Sequence, residues 1–317
     1  MTFDRDSRRL AQRVAAPGVF FAIGAYAAWG ALPAFFQLLQ PASAYEIVAA
    51  RIVFTLVFCC VIATIFHRWR KITIIMRNPR LFLLIGLAGA LIYVAWQVYI
   101  LGALSGHILE VALGYFINPI ITVLLGVFVE RERLRFTQWV AVGISVVAVI
   151  VLAISYGAAP WISLVIAVSF GLYGLIKKRI GPRVDAVSGL TLETAWLMPV
   201  AILQLLVISL TGSLTLGSQG IAHDAALVST GLVTAIPLLL FAAAARRLPL
   251  STLGFIQYLA PIAQFAFAVF VMHEALTPCR WVGFGLVWLA LITLTADAIH
   301  ANRVSRNGEI ASKWGNN

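Results

Sequence analysis

Charge is what this chain has least of. Charged side chains make up 11% of its 317 residues, against 62% hydrophobic, whereas a soluble domain carries about 25% charged residues. A water-facing surface cannot be covered from that supply, and a mean hydropathy of +0.96 points to the bilayer as solvent. Acids are scarcer still, 12 against 23 Lys and Arg. Cysteine is limited to Cys59, Cys60 and Cys279, with no C-x-x-C or His-paired spacing, which argues against a disulfide framework and a metal site. No G-x-x-x-x-G-K-[ST] occurs, so ATP does not drive the protein directly. The five histidines, His67, His107, His223, His273 and His300, stand in loops or at the ends of apolar stretches without companion motifs, and no clustered Asp or nucleophile–base set accompanies them. No cofactor is indicated.

What is present is a series of long apolar runs. A helix needs about 20 mostly apolar residues to cross the hydrocarbon core, and ten such spans follow one another at 17–39, 44–66, 81–103, 107–129, 137–156, 159–176, 187–210, 225–245, 249–272 and 280–299. Their lengths suit helices rather than membrane strands of about ten residues. The basic residues lie at the N-terminus, in alternate connections and in the tail; only Arg51, inside a span, and Arg280 fall elsewhere. Connections around 40–43, 104–106, 157–158 and 211–224 have no Lys or Arg. Cytoplasmic loops are the basic ones, so both termini, 1–16 and 301–317, are expected in the cytoplasm. The same placement removes the nucleic-acid reading that a net charge of +11 would invite in a soluble chain. The basic start followed by an apolar run looks like a signal peptide, but the run is too long for an h-region and reads as a retained first helix.

The chain also repeats itself. A shift of 142 residues aligns Pro119 to Gly143 with Pro261 to Gly285 with ten identities in 25 positions, among them Pro119/Pro261, Glu132/Glu274, Trp139/Trp281 and Gly143/Gly285. Farther forward, Trp29-Gly30 falls on Tyr173-Gly174 and Glu46 on Glu193. Each repeat, 17–156 and 159–300, holds five spans, an odd number, so the second enters the membrane from the opposite side. The expected fold is therefore all-α integral membrane, ten transmembrane helices as two inverted five-helix repeats, an architecture that places a transporter's site near the midplane between repeats.

Several segments carry a family resemblance: Leu109-Glu110, Leu113-Gly114-Tyr115-Phe116-Ile117-Asn118-Pro119, Ser169-Phe170 with Tyr173-Gly174-Leu175, Glu193-Thr194, and Leu250-Ser251-Thr252-Leu253-Gly254-Phe255 with Gln257-Tyr258. They resemble the RarD proteins of the EamA branch of the drug/metabolite transporter superfamily, over about residues 17 to 300. The resemblance implies a transporter of the bacterial inner membrane with a central cavity lined by the first four helices of each repeat, the fifth lying at the periphery. It also implies a link with chloramphenicol sensitivity. One departure is Ala50 before Arg51, where the family tends to place His, so no role for that His is carried over.

An ionisable group inside a span costs about 2.5–3.5 kcal/mol even on lenient scales and usually faces a cavity or a partner. Arg51 lies about 10 Å into the second span, and Glu110 lies near the same end of the fourth. Two readings of them stand together: a gate or anion contact for the solute, and an ion pair that fixes helix packing. Glu110, Gly114 and Asn118 share one helix face, Ser169, Tyr173 and Lys177 another, and Gln257 and Gln264 flank Pro261. Lys177, at a boundary, is expected to snorkel to the headgroups. Glu193 and Glu46 start their spans, where helix capping competes with solute binding, and Asp297 is expected as a solvated helix end. Trp69, Trp139, Trp161 and Trp281 fit an interfacial belt, whereas Tyr26, Trp29, Tyr93 and Trp96 with Gln97 lie deeper. The candidate cavity-lining residues are thus Tyr26, Trp29, Arg51, Trp96, Gln97, Glu110, Tyr115, Asn118, Ser169, Tyr173, Glu193, Gln257, Tyr258 and Gln264. The expected partners are membrane lipid and a small-molecule solute. The expected function is secondary transport by alternating access; a non-transporting sensor or assembly factor and an intramembrane lipid-modifying enzyme are the competing readings.

Overall fold

Caps and prolines mark where the helices begin and bend. The structure is a computed structural model in which residues 2–105, 108–156, 161–270 and parts of 278–297 are described, with side chains from residue 17 onward. The helices are α1 Thr2–Gln37, α2 Ala44–Ile65, α3 Trp69–Met76, α4 Pro79–Leu104, α5 Ile108–Phe128, α6 Phe136–Tyr156, α7 Trp161–Ile180, α8 Ala186–Leu210, α9 Ile221–Ala245, α10 Leu250–Gln257 and α11 Leu259–Phe270. No strand occurs among the described residues. Ser43 caps α2 by accepting from the Glu46 N–H at 3.2 Å, and Asn78, followed by Pro79, caps α4. Asp185 caps α8 through the Ser188 N–H. Each side-chain oxygen satisfies one of the donors that a helix start leaves open.

Two features depart from the expected spans. α3, whose Ile72 and Ile75 pack against Ile85, Ile180, Val184 and Leu192, is a short helix inside the basic connection between the second and third spans. The ninth span is two helices, broken at Tyr258. Proline has no N–H to give the carbonyl four residues earlier, and for Pro261 that residue is Gln257, the end of α10. Pro119 likewise stands four residues after Tyr115, yet α5 continues through it.

α2, α4, α7, α8 and α9 are long and apolar enough to cross a membrane, over Ala44–Ile65, Pro79–Gly102, Trp161–Ile180, Ala186–Leu210 and Ile221–Ala245, while α1, α5 and α6 carry shorter apolar stretches. Outward faces are apolar as well, with Phe20, Val57, Leu83, Leu203 and Ile154 exposed. So large an apolar surface is unsuited to water. α6 leans on α5 and turns Val147, Ile150 and Ile154 outward.

The most extensive helix pairings join residues before 157 to residues after 160: α5 with α7 and α10, α4 with α7, α2 with α8 and α9, and α1 with α9 and α11. Glycines permit the closest approaches. A Cβ on Gly231 of α9 would stand 2.4 Å from the Phe54 backbone of α2, and one on Gly30 of α1 would stand 2.5 Å from Ala263 of α11.

Candidate functional site

The helices that meet across the middle leave a pocket between them, a cavity of about 50 Å³ within about 590 Å³ of empty space that includes open solvent. α1 supplies Tyr26, Trp29 and Leu32; α2 supplies Arg51; α4 supplies Ala95, Trp96 and Tyr99; α5 supplies Tyr115 and Asn118. From the second half come Ile166 and Phe170 of α7, Gln257 of α10 and Ala260 of α11.

The walls are mostly aromatic. Trp29 meets Tyr26 and Phe170 edge to face at 5.3 Å each, and Tyr99 meets Tyr115 in the same way at 5.5 Å. Such offset pairs favour the ring quadrupoles and keep the rings in place. Phe241 of α9 backs the wall, 5.6 Å from Trp29 and stacked on Tyr173 at 5.7 Å. The Tyr26 hydroxyl is buried without a hydrogen-bond partner among the described residues.

Polar groups enter at two places. Asn118 and Gln257 are joined by a hydrogen bond from the Gln257 amide to Asn118 Oδ1. Thr122 donates to Gln257 Oε1 at 3.2 Å, and the Asn118 amide donates to the Ala167 carbonyl at 3.2 Å. α5, α7 and α10 are tied by one set of amides, as buried polar groups require. Opposite in chemistry is Arg51, 3% exposed. Its Nε donates to Thr234 Oγ1 at 3.0 Å, and its guanidinium lies 4.4 Å from the Trp96 ring centroid and 5.6 Å from that of Phe36.

Seven of the sequence candidates therefore line one space: Tyr26, Trp29, Arg51, Trp96, Tyr115, Asn118 and Gln257. The others lie elsewhere. Gln97 accepts from Gln204 Nε2 at 2.8 Å between α4 and α8. Ser169 is buried in α7, and Tyr258 packs with Leu113, Phe116 and Ala167. Gln264 donates to the Trp29 carbonyl at 3.2 Å, supporting the wall from behind. Glu110 belongs to α5, and its side chain lies outside the described residues. Leu32, Ala95, Tyr99, Ile166, Phe170 and Ala260 were not foreseen; Phe170 had one signal, since it falls on Tyr26 when Trp29 is laid on Tyr173.

Several charged groups correct the sequence reading. Lys177 does not reach outward: it is 4% exposed and its Nζ stands 2.5 Å from Glu193 Oε1, with the Tyr173 hydroxyl donating to Glu193 Oε2 at 3.2 Å. Glu193 is consequently not a helix cap, a task taken by Asp185 about two turns earlier. Glu46 receives its own N–H cap from Ser43 and uses its carboxylate to bind the Thr215 and Leu216 N–H groups at 2.8–3.2 Å. Asp297 is held by Arg135 at 2.5 Å rather than solvated. In the connection between α5 and α6, Glu132 accepts from the Leu250 and Ser251 N–H groups at 2.6 and 2.9 Å and from the Ser251 hydroxyl at 2.6 Å, with Lys178 at 3.2 Å. Burial pushes this carboxyl up, but the Ser251 and Leu250 donors and Lys178 outweigh it and hold it below its ordinary range.

Comparison with known proteins places the arrangement. A model described as the EamA-like transporter family matches residues 16–154. A RarD protein of Streptomyces exfoliatus is 48% identical over 91% of this chain and 91% of its own length. An uncharacterized transporter of Vibrio cholerae is 37% identical over 93% and 97%. A solved crystal structure shares the fold with a TM-score of 0.65 at 17% identity, covering 88% of this chain and 98% of the other. With these likenesses running through the segments that build the cavity, the chain belongs to the EamA family and, within it, to the RarD group of drug/metabolite transporters, membrane proteins that move molecules rather than transform them.

Proposed function

We propose that the protein is a secondary carrier of ten membrane-crossing helices in two inverted repeats, 17–156 and 159–300, with both termini cytoplasmic. It moves a small amphipathic organic solute across the bacterial inner membrane by alternating access, as an exporter or exchanger. The observation that carries this reading is the cavity itself, set between helices of both halves and lined by rings, two amides and one cation.

The helix pairings support the repeat. Exchanging each span with the one five places away turns α5–α7 into α11–α1, α4–α7 into α9–α1 and α2–α9 into α8–α4, and all of these pairs occur. Ile121 and Ala263, which align under the shift of 142, each pack against a glycine in the first span of the opposite half, Gly171 and Gly30, although Gly30 itself falls on Gly174. Two units packed this way can exchange conformations about a shared site, which alternating access requires.

The test is counterflow in proteoliposomes. Vesicles preloaded with an amphipathic metabolite or with chloramphenicol should transiently accumulate the labelled solute above equilibrium only when protein is present. Saturable binding with no counterflow across such a panel would leave a sensor instead, and chemical conversion an enzyme.

A further inference from the structure

The carrier reading leaves the solute's chemistry open, and one side chain narrows it. We propose that the substrate class is a monovalent organic anion, a carboxylate attached to a flat aromatic or unsaturated body, and that Arg51 is its anion-binding residue. This inference rests on the carrier reading for its purpose but not for its test.

Arg51 is enclosed, and its known contacts use only part of it. Thr234 takes Nε and Trp96 covers one face of the guanidinium. The two terminal nitrogens make no hydrogen bond, and no carboxylate lies within ion-pair distance of Arg51, among the described residues. An arginine held at Nε and stacked on a ring keeps a rigid outer edge of donors, the shape that matches a carboxylate. A buried cation left without a counter-ion in an apolar segment is costly and by default functional; stacking on Trp96 offsets part of that cost, and a bound anion would offset more. The described lining of the cavity holds this one cation and no acid, which fits a single negative charge better than a phosphate dianion. The remaining lining is aromatic, the chemistry that favours a ring: Trp96, Tyr99 and Tyr115 line the same space as Arg51, and Tyr26 presents a hydroxyl that has no partner of its own among the described residues.

The probes are indole-3-acetate, indole-3-acetamide and tryptamine, which share a body and differ in charge, with cinnamate and benzoate as further carboxylates. Thermal stabilisation and tryptophan quenching of the purified full chain give affinities. The carboxylates should bind at least about tenfold tighter than the amide, as a charge-assisted contact implies, and tryptamine should bind weakest. Arg51→Gln should erase the preference for carboxylate over amide, and Arg51→Lys should retain part of it. Equal or tighter binding of the amide or the amine to the native protein overturns the proposal whether or not the variants fold, as does no binding of any carboxylate at about 10 mM. Glu110, the acid that the sequence sets beside Arg51, is tested as a competing partner. If Arg51→Gln/Glu110→Gln binds carboxylates as the native chain does, Arg51 serves only to neutralise Glu110 and the proposal falls. Counterflow of a neutral solute without carboxylate binding would sink the anion site and keep the carrier; Arg51-dependent carboxylate binding without counterflow would do the reverse.

Discussion

Lys177 and Glu193 show at the residue scale what a membrane interior does with charge. Neither is more than 4% exposed, so removing one strands the other. Lys177→Met or Glu193→Gln should each lower stability by about 3–5 kcal/mol, while the double variant recovers most of the loss; melting curves of the four proteins in detergent measure this, and simple additivity would show that the two do not interact. Sequence reasoning placed Lys177 at the headgroups because a residue at a span's end is ordinarily free to snorkel, and only the course of α8 reveals the carboxylate beside it. Arg51, Asn118 and Gln257 were legible for the opposite reason. Polar groups deep in apolar spans carry their own signal, a cost that must be met by a cavity or a partner. Tyr99, Ile166 and Ala260 give no such signal, since an aromatic, branched or small residue serves equally well against lipid, a neighbouring helix or a solute.

Two junctions decide how the elements hold together. At Gly231 the backbones of α2 and α9 nearly touch, and the Thr55 hydroxyl donates to the Gly231 carbonyl at 3.3 Å. Gly231→Val should separate the helices, lower the melting temperature and pull Thr234 from Arg51; a variant with native melting and native solute affinity would contradict this packing. The second junction is the Glu132 carboxylate on the first turn of α10, which satisfies donors that the helix start leaves open. Its folded-state pKa lies below the ordinary carboxylate value, so its stabilisation is complete above that value and is lost as pH falls through the folded one. The melting difference between the native chain and Glu132→Gln should stay constant from neutral pH down to about pH 5 and close below about pH 4; a difference that grew on acidification would reverse the assignment. Spans were legible from apolar length, whereas α3 was hidden because eight residues are too few for periodicity to stand out among five basic neighbours. The break at Tyr258 was announced by Pro261, but Pro119 shows that the same residue need not break a helix.

For the whole molecule, orientation is the first measurable property. Cysteines placed at 105 and 218, both exposed, in a background lacking Cys59, Cys60 and Cys279 should react with a reagent added outside, and one at 182 should not; strong outside labelling at 182 would reverse the proposed topology. The all-helical membrane character was readable from composition, because so few charges cannot clothe a soluble surface. How the two halves interlock was not, since pairing partners are far apart in sequence and every span offers a similar apolar face. That interlocking bears on how the chain is made. The most extensive helix pairings join the halves, so while the first half is being synthesised its Arg51 and Asn118 wait in the membrane for Thr234 and Gln257, which have not yet left the ribosome. Neither half is then a complete folding unit, and the stretch near 157 becomes a place where the chain can be cut in two without separating strong neighbours. Residues 1–157 expressed alone should be cleared by proteolysis, and should accumulate as an assembled pair when residues 158–317 are supplied as a second polypeptide.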